Sequence, residues 1–336
     1  MPHRMRARGI FAASVSAFLL LTATTAAQPT PDCRQAKTSA EKAICGNAEL
    51  AAADKAMAQA YAALRGQLPP EQQKTLLADQ RRWITRRQAA CGDKSEDTLA
   101  RCLLSQTDAR RRFFAGESPN GALGAPRIVP GVFHETRKGR YEISIEYPQM
   151  LTPRGPAAAA FERAAHAIAF GKDAVSDYRD MEAPMTAGLE NFYDAGYDIA
   201  YVDPHLVSVV FSIGTYTGGA HPNSGRTSLI FDLAGRELTL SDLVADPQRA
   251  VDEISSRCRA QAAKDDWGLF DDPDFPTVVK GVTSWAPDKD GIVILFDPYS
   301  VTPYAAGPHE CRLNYAELGP LLKPGGPLPP QQGGSK

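Results

Sequence analysis

The sequence has no strong excess of charge of either sign, no CxxC or HxxxH spacing, and no apolar run of membrane-spanning length. Each absence excludes a class of protein. With 37 basic against 39 acidic residues and a net charge of −2, the chain lacks the basic footprint on which nucleic-acid affinity depends, so no nucleic-acid partner is expected. Zinc sites built from closely spaced cysteine and histidine pairs have no counterpart here, and no metal or cofactor is expected. The main apolar run, residues 10–21, is about a dozen residues against the ~20 that a spanning helix needs. Hydrophobic residues make up 43% and charged residues 23%, the proportions of a globular chain rather than of a fibre, a disordered polymer or a multi-span membrane protein. At roughly 100 to 200 residues per domain, 336 residues predict two domains.

What is present begins with an export signal. Arg4, Arg6 and Arg8 precede the apolar run and Thr25, Ala26 and Ala27 follow it, the pattern of a signal peptide over residues 1–27 with a mature start near Gln28. Cys33, preceded by Thr30, Pro31 and Asp32, lacks the small-residue context of a lipoprotein attachment site. Losing the three arginines takes the net charge from −2 to about −5. A periplasmic or secreted protein with no transmembrane segment in the mature chain is expected. An oxidising compartment favours disulfides, and the six cysteines divide into Cys33, Cys45, Cys91 and Cys102 early and Cys258 and Cys311 late. Even numbers in each group point to two separately stapled domains.

Residues 28–115 read as a small all-helical domain. Leu50, Met57, Tyr61, Leu64 and Leu68 make one helical stripe. Pro69 and Pro70 break it, and a second helix runs from Glu71 through Leu76, Gln80, Trp83, Ile84 and Arg87 to Cys91. Gly92 and Asp93 end that helix, and a third follows through Leu99, Cys102, Leu103 and Phe113. If the first two helices form an antiparallel hairpin, Cys45 meets Cys91 and Cys33 is left for Cys102, one of three connectivities open to four cysteines. A bridge closing a loop of about 45 residues would contribute about 3–4 kcal/mol.

Residues 116–130, rich in Gly, Pro, Ser and Ala, read as a linker. After them, residues 140–147, 196–202, 205–216 and 226–233 read as strands, 157–178 and 247–265 as helices, and 281–286 with 291–296 as a hairpin. Residues 131–323 are thus expected to form an α+β domain with a mostly antiparallel sheet. The remaining 324–336 read as a disordered Pro/Gly tail.

Gln80, Trp83 and Arg87 share a helix face, where the Trp either anchors the core or stacks on a partner. Together with Cys33, Glu41–Cys45 (EKAIC), Leu50, Asp54, Tyr61, Gln80–Trp83 (QRRW), Cys91, Cys102, Leu103 and Arg110, they resemble the N-terminal domain of the LprI-type lysozyme inhibitors over residues 33–115. The resemblance implies a partner of lysozyme type in the cell envelope and brings no catalytic residue. In the second domain, Tyr216, Gly218, Gly219 and His221 lie in the segment TYTGGAHPN, residues 215–223, where the glycines permit unusual backbone angles and Pro222 extends His221. His221 reads as a turn-stabilising hydrogen bonder, a partner contact, or a catalytic or metal residue; no nucleophile or carboxylate at a recognisable spacing accompanies it.

This segment, with Asp297-Pro298-Tyr299 and residues 302–307 (TPYAAG), is similar to the extracytoplasmic domain of lysozyme-sensing anti-sigma factors, which also accompanies some peptidoglycan deacetylases. No sigma-binding segment or deacetylase domain is recognised beside it, so those roles are not expected. Cys258 and Cys311 would tie the helix from 247 to the last strand. Residues 265–275 (DDWGLFDDPDF) set five aspartates among Trp267, Phe270 and Phe275, reading as a solvated loop, as a surface for a basic protein, or as a calcium loop that lacks the EF-hand spacing and terminal Glu. The expected function is an exported, non-enzymatic envelope protein that binds and inhibits lysozyme or a related muramidase, with Tyr216, Gly218, Gly219, His221, Trp267 and Phe270 as candidate contacts. A peptidoglycan- or polysaccharide-binding module without lysozyme contact is the alternative, and a hydrolase using His221 a third.

Overall fold

The computed structural model describes residues 31–92, 94–182 and 190–329. The expected signal peptide, Asp93 and the end of the tail, 330–336, lie outside them. Four helices form the first domain: α1 (Ser39–Gly46), α2 (Ala48–Gln67), α3 (Pro70–Cys91) and α4 (Glu96–Ala115). Local chemistry sets their ends. Thr38 and Glu41 exchange side-chain-to-backbone bonds as a capping box at α1. Asn47 accepts from the Leu50 N–H at 3.0 Å to start α2. Pro70, with its fixed φ and missing N–H, opens α3. α2 packs along α4 rather than along α3, whose outer face turns instead towards the second domain.

That arrangement overturns the expected disulfide pairing. Cys33 bonds Cys45 and Cys91 bonds Cys102, each across a short loop with sequence separations of 12 and 11. The helix ends do converge, since Ile44, Leu50, Cys91, Leu99 and Leu103 form one buried cluster. Ala40 and Ile44, four residues apart, are the α1 residues that enter it, however, and one residue beyond Ile44 turns the side chain by about 100°. Cys45 is thereby rotated away from Cys91 towards Cys33, and the start of α4 supplies the partner for Cys91.

The stretch expected as a linker is folded. Gly116 ends α4 in the left-handed region, with φ 69°, and its carbonyl accepts from Gly124 N–H at 2.9 Å and Ala125 N–H at 3.0 Å. Composition read as flexibility is here the geometry of a compact turn. β1 (Arg127–Arg137) starts inside the same stretch, and Val129 joins Leu151, Met57, Leu76 and Phe114 in an apolar cluster shared by both domains. Arg82 donates to the Pro130 carbonyl at 3.0 Å and Arg86 pairs with Glu146 at 2.9 Å across this junction.

A six-stranded sheet follows in the order β1, β2 (Tyr141–Thr152), β3 (Asn191–Val202), β4 (Leu206–Tyr216), β5 (Asn223–Asp232) and β6 (Arg236–Glu237). Among the described strands only the β2–β3 pair is parallel, the connection carrying α5 (Pro156–Phe170) and α6 (Ala174–Asp180). Phe161, Ala165 and Ala169 of α5 pack on Ile143, Ile145, Val209 and Phe231 of the sheet, and full burial of a side chain such as Phe161 contributes about 1.5–3 kcal/mol. Beyond the sheet come α7 (Leu240–Leu243), α8 (Pro247–Lys264), α9 (Phe275–Lys280), a second, three-stranded antiparallel sheet and α10 (Tyr315–Leu318). That sheet comprises β7 (Trp285–Pro287), β8 (Gly291–Phe296) and β9 (His309–Asn314). β8 is buried along its whole length, as its uninterrupted apolar run requires. Cys258 of α8 bonds Cys311 of β9. The architecture is a disulfide-stapled helical domain followed by an α+β domain with mostly antiparallel pairing. The expected disordered tail starts too early, since Leu328 packs into the same core as Trp285, Ile294 and Leu321.

Candidate functional site

Three loops meet at the ends of the two sheets. The first leaves β4 at Tyr216, which is buried and whose Oη donates to the Gly219 carbonyl at 3.1 Å. Gly218 and Gly219 have φ of 91° and 108°, and a Cβ on either would meet nothing within 4 Å. Conformation alone therefore calls for glycine at both positions. The turn presents His221 at the surface, its ring stacked on Tyr304 with centroids 4.0 Å apart and its Nδ1 2.8 Å from the Pro222 carbonyl. Tyr304 Oη donates to that same carbonyl at 2.5 Å.

Tyr304 belongs to the second loop, between β8 and β9, where Tyr299 leans against it with centroids 5.5 Å apart and is 57% exposed. The third loop, after α8, is tied to the second by a bond from Phe270 N–H to the Val301 carbonyl at 3.0 Å. Phe270 is 39% exposed. The result is an aromatic edge of His221, Tyr304 and Tyr299, with Phe270 exposed on the loop tied to it. Asp265, Asp266, Asp271 and Asp272 are exposed on the third loop, whereas Asp274 is engaged as the cap of α9 through the Thr277 N–H at 3.1 Å. The Thr277 hydroxyl and, after it, this N–H hold the Asp274 carboxyl below its usual range.

Arg226, at the start of β5, holds the second loop in place. Its backbone N–H donates to Asp297 Oδ2 at 2.9 Å, and its guanidinium reaches Glu310 Oε1 and the His309 carbonyl, each at 2.9 Å. Gly225 makes room, because a Cβ there would stand 3.2 Å from Asp297 Oδ2. Arg226, Tyr299 and Tyr304 were not singled out as contacts from sequence. A lone charged residue in the run Asn223–Phe231 was the available signal for the first.

Trp267 is corrected. Rather than forming an exposed anchor it is 7% exposed, stacked on His309 with centroids 4.5 Å apart and edge-on to Phe296 at 5.5 Å. Phe275 is likewise core. The glycine at 268 lets the chain turn outward only after the indole has been buried, leaving Phe270 as the exposed aromatic of that loop. The Gln80, Trp83 and Arg87 face is occupied internally. Gln80 Oε1 accepts from Arg110 Nε at 2.9 Å, Arg110 pairs with buried Asp79 at 2.5 Å, and the Arg87 guanidinium lies 4.6 Å from the Trp83 ring centre.

His221 contacts a carbonyl and a phenol ring, an arrangement that stiffens a surface loop and supplies no proton-transfer partner. Among the described residues no group of three or more His, Cys, Asp or Glu is placed to hold a metal ion, and no helix is long and apolar enough to cross a membrane.

Residues 33–113 match the family described as lysozyme inhibitor LprI, residues 135–224 match deacetylase PdaC, and residues 241–316 match a family of unknown function, DUF3298. Similar solved structures include a DUF3298 family member from Bacteroides fragilis NCTC 9343, at 18% identity over 59% of this chain and 95% of that one, with a TM-score of 0.47. A DUF3298 family protein from Pseudomonas aeruginosa PAO1 is 17% identical over 59% of this chain and 93% of that one, with a TM-score of 0.38. No curated protein matches. The chain thus joins a helical domain similar to LprI to an α+β domain with one segment similar to PdaC and another similar to DUF3298.

Proposed function

We propose that this is an exported protein of the bacterial envelope that binds lysozyme or a related muramidase and inhibits it, without catalytic activity of its own. The observation that carries the reading is the match of residues 33–113 to the LprI lysozyme inhibitors. Three disulfides suit an oxidising compartment outside the cytoplasm. The aromatic edge supports a protein partner, because rigid exposed aromatics are the usual source of interface affinity. Four exposed aspartates beside it favour encounter with a basic protein. The edge of His221, Tyr304 and Tyr299, together with Phe270, is the proposed contact in the α+β domain, with Tyr216, Gly218 and Gly219 shaping it from behind.

The test is a titration of the mature protein against c-type, g-type and i-type lysozymes in a cell-wall lysis assay, with binding followed in parallel. Saturable protection against at least one class, weakened by Tyr299→Ala or Phe270→Ala, supports the reading. Absence of binding and protection at micromolar concentrations against all three refutes it. Co-sedimentation with purified sacculi in the absence of lysozyme would instead favour a wall-binding module.

A further inference from the structure

β1 is an outer strand of the six-stranded sheet, paired on one side by β2. Proline shows which of its backbone groups face outward. Pro130 stands opposite Pro148 in the β1–β2 register, and because neither has an N–H, the two cannot exchange ladder bonds. Antiparallel pairs alternate between bonded and non-bonded, and the register is unbroken from Ile128 to Arg137. Val132, His134 and Thr136 therefore turn their N–H and C=O groups away from β2. The Pro130 carbonyl is met by Arg82 Nη2 at 3.0 Å, which closes that end of the strand. Beyond it, no described residue bonds the backbone of Val132, His134 or Thr136 from outside the sheet. All three are exposed, Val132 by 50%. An open edge of this kind is a template for another strand.

A ledge of rings runs beside the open stretch. Residues directly opposite in the register lie on one face, so Gly131 and Phe133 share a face with Tyr147 and Ile145, the face on which α5 packs. A Cβ at Gly131 would stand 2.6 Å from Tyr147 Cζ. Glycine there lets the phenol ring lie across β1 towards the outside of the sheet. Tyr147 Oη accepts from Gln149 Nε2 at 3.0 Å. Phe170, at the end of α5, stacks on His166 with centroids 3.9 Å apart and meets Tyr147 and Phe133 at 5.5 and 5.6 Å. His166 is exposed and the other three rings are half-buried. Rings that hold one another in place offer apolar area with little ordering cost on binding.

The charges narrow the partner. On β1, β2 and α5, Glu135 is taken by Arg179 at 2.8 Å, Glu146 by Arg86 and Glu162 by Arg154. Glu142, unpaired among the described residues, lies opposite Thr136 on the other face of the sheet. Arg137 and Lys138 beyond one end of the ledge and Arg163 near the other are exposed and form no ion pair among the described residues. The open stretch, Val132 to Arg137, is about 20 Å long at ~3.3 Å per residue. It thus offers backbone groups along its length, rings at its centre and unmatched positive charge at both ends. A second copy of the chain would bring another Arg137 and Lys138 to that basic surface and is disfavoured.

We propose that the open edge of β1 binds an extended acidic peptide segment of a partner protein, which adds a strand to the sheet, lays an apolar side chain on the ring ledge and directs acidic residues to Arg137 and Arg163. In this mode main-chain bonds supply affinity and the contacts of alternate side chains supply selectivity. β1 and the His221 turn between β4 and β5 are separated in the strand order by β2 and β3, and the site does not depend on lysozyme binding.

Fluorescence anisotropy with the mature protein tests it, the probe being the labelled peptide EEVTFTVEE and the control KKVTFTVKK. Saturable binding of the acidic peptide, about tenfold or more tighter than the basic one, is expected. His134→Pro removes an outward N–H and no β1–β2 ladder bond, and should weaken binding about tenfold or more. Arg137→Glu with Arg163→Glu should reverse the preference between the two peptides. Absence of binding of the acidic peptide, equal binding of the basic one, or wild-type binding by His134→Pro overturns the proposal. A dimer in sedimentation velocity that His134→Pro abolishes and the peptide does not disrupt would assign the edge to a second copy, and also overturns it. Should a variant misfold, hydrogen exchange of the wild-type protein decides: protection by the acidic peptide at the Val132, His134 and Thr136 amides supports the site, and protection confined to other segments overturns it.

Discussion

Removing the bridge between Cys258 and Cys311 should be the most damaging single change to the covalent framework. Both sulfurs are fully buried, one on α8 and one on β9, and the loop they close has a sequence separation of 53. In the chain-entropy description a loop of that length stabilises the fold by about 4 kcal/mol, against about 3 kcal/mol for each of the short helical-domain loops. Replacing both cysteines by alanine adds the loss of buried sulfur, about 1 kcal/mol. A domain of this size has only about 5–15 kcal/mol to lose. The expected result for Cys258→Ala with Cys311→Ala is a loss of about 4–5 kcal/mol in urea unfolding, together with a steeper denaturant dependence as the unfolded chain expands. Trp285 and Trp267 share the core cluster with both cysteines, so tryptophan fluorescence reads the relevant transition, while Trp83 and far-UV circular dichroism follow the helical domain. A loss below about 1 kcal/mol, or destabilisation confined to the helical domain, would refute the reasoning.

Non-reducing tryptic mapping should recover Cys33 linked to Cys45 and Cys91 linked to Cys102, since Lys37, Lys42, Lys94 and Arg101 provide cleavage within both loops; a peptide joining Cys45 to Cys91 would contradict the structure. Trp267→Ala should cost about 3–5 kcal/mol as a core truncation, while Phe270→Ala and Tyr299→Ala should change stability by less than about 0.5 kcal/mol, and thermal melts separate these outcomes. Glu135 accepts from Arg179 and Tyr141, which hold its carboxyl down to about 2. Its contribution to stability is thus present above the unfolded carboxylate value, about 4.3, and lost as pH falls towards the folded one. NMR titration of the side chain should show that depressed value, and Arg179→Gln should return it towards the ordinary range.

The elements with clear periodicity were legible in the sequence. The stripe from Leu50 to Leu68, the Pro69-Pro70 break and the apolar run of β8 each encode their local structure, because side-chain spacing and proline stereochemistry act over a few residues. What was missed depends on rotation or on contacts distant along the chain. Cys45 and Cys91 approach the same cluster, but their pairing depends on which way each side chain points about its helix axis, and a helix-level topology does not contain that angle. Val129 and Leu151 are strand residues whose burial comes from Met57 and Phe114 in the other domain, so the Gly- and Pro-rich composition around 116–130 concealed a folded junction. Trp267 looked like a surface anchor because aspartates surround it, yet the polarity of a loop does not determine the direction of its largest side chain.

The candidate site shows the same division in reverse. Its glycines were readable because positive φ is a property of the residue itself, whereas Tyr304 and Tyr299 become part of the site only when Asp297 is bound by Arg226, 71 residues earlier. One arginine therefore joins β5 to the loop between β8 and β9, and through Tyr304 to the His221 turn. The aromatic edge is consequently a product of sheet-to-sheet packing, carried on a framework that the buried bridge between α8 and β9 makes rigid.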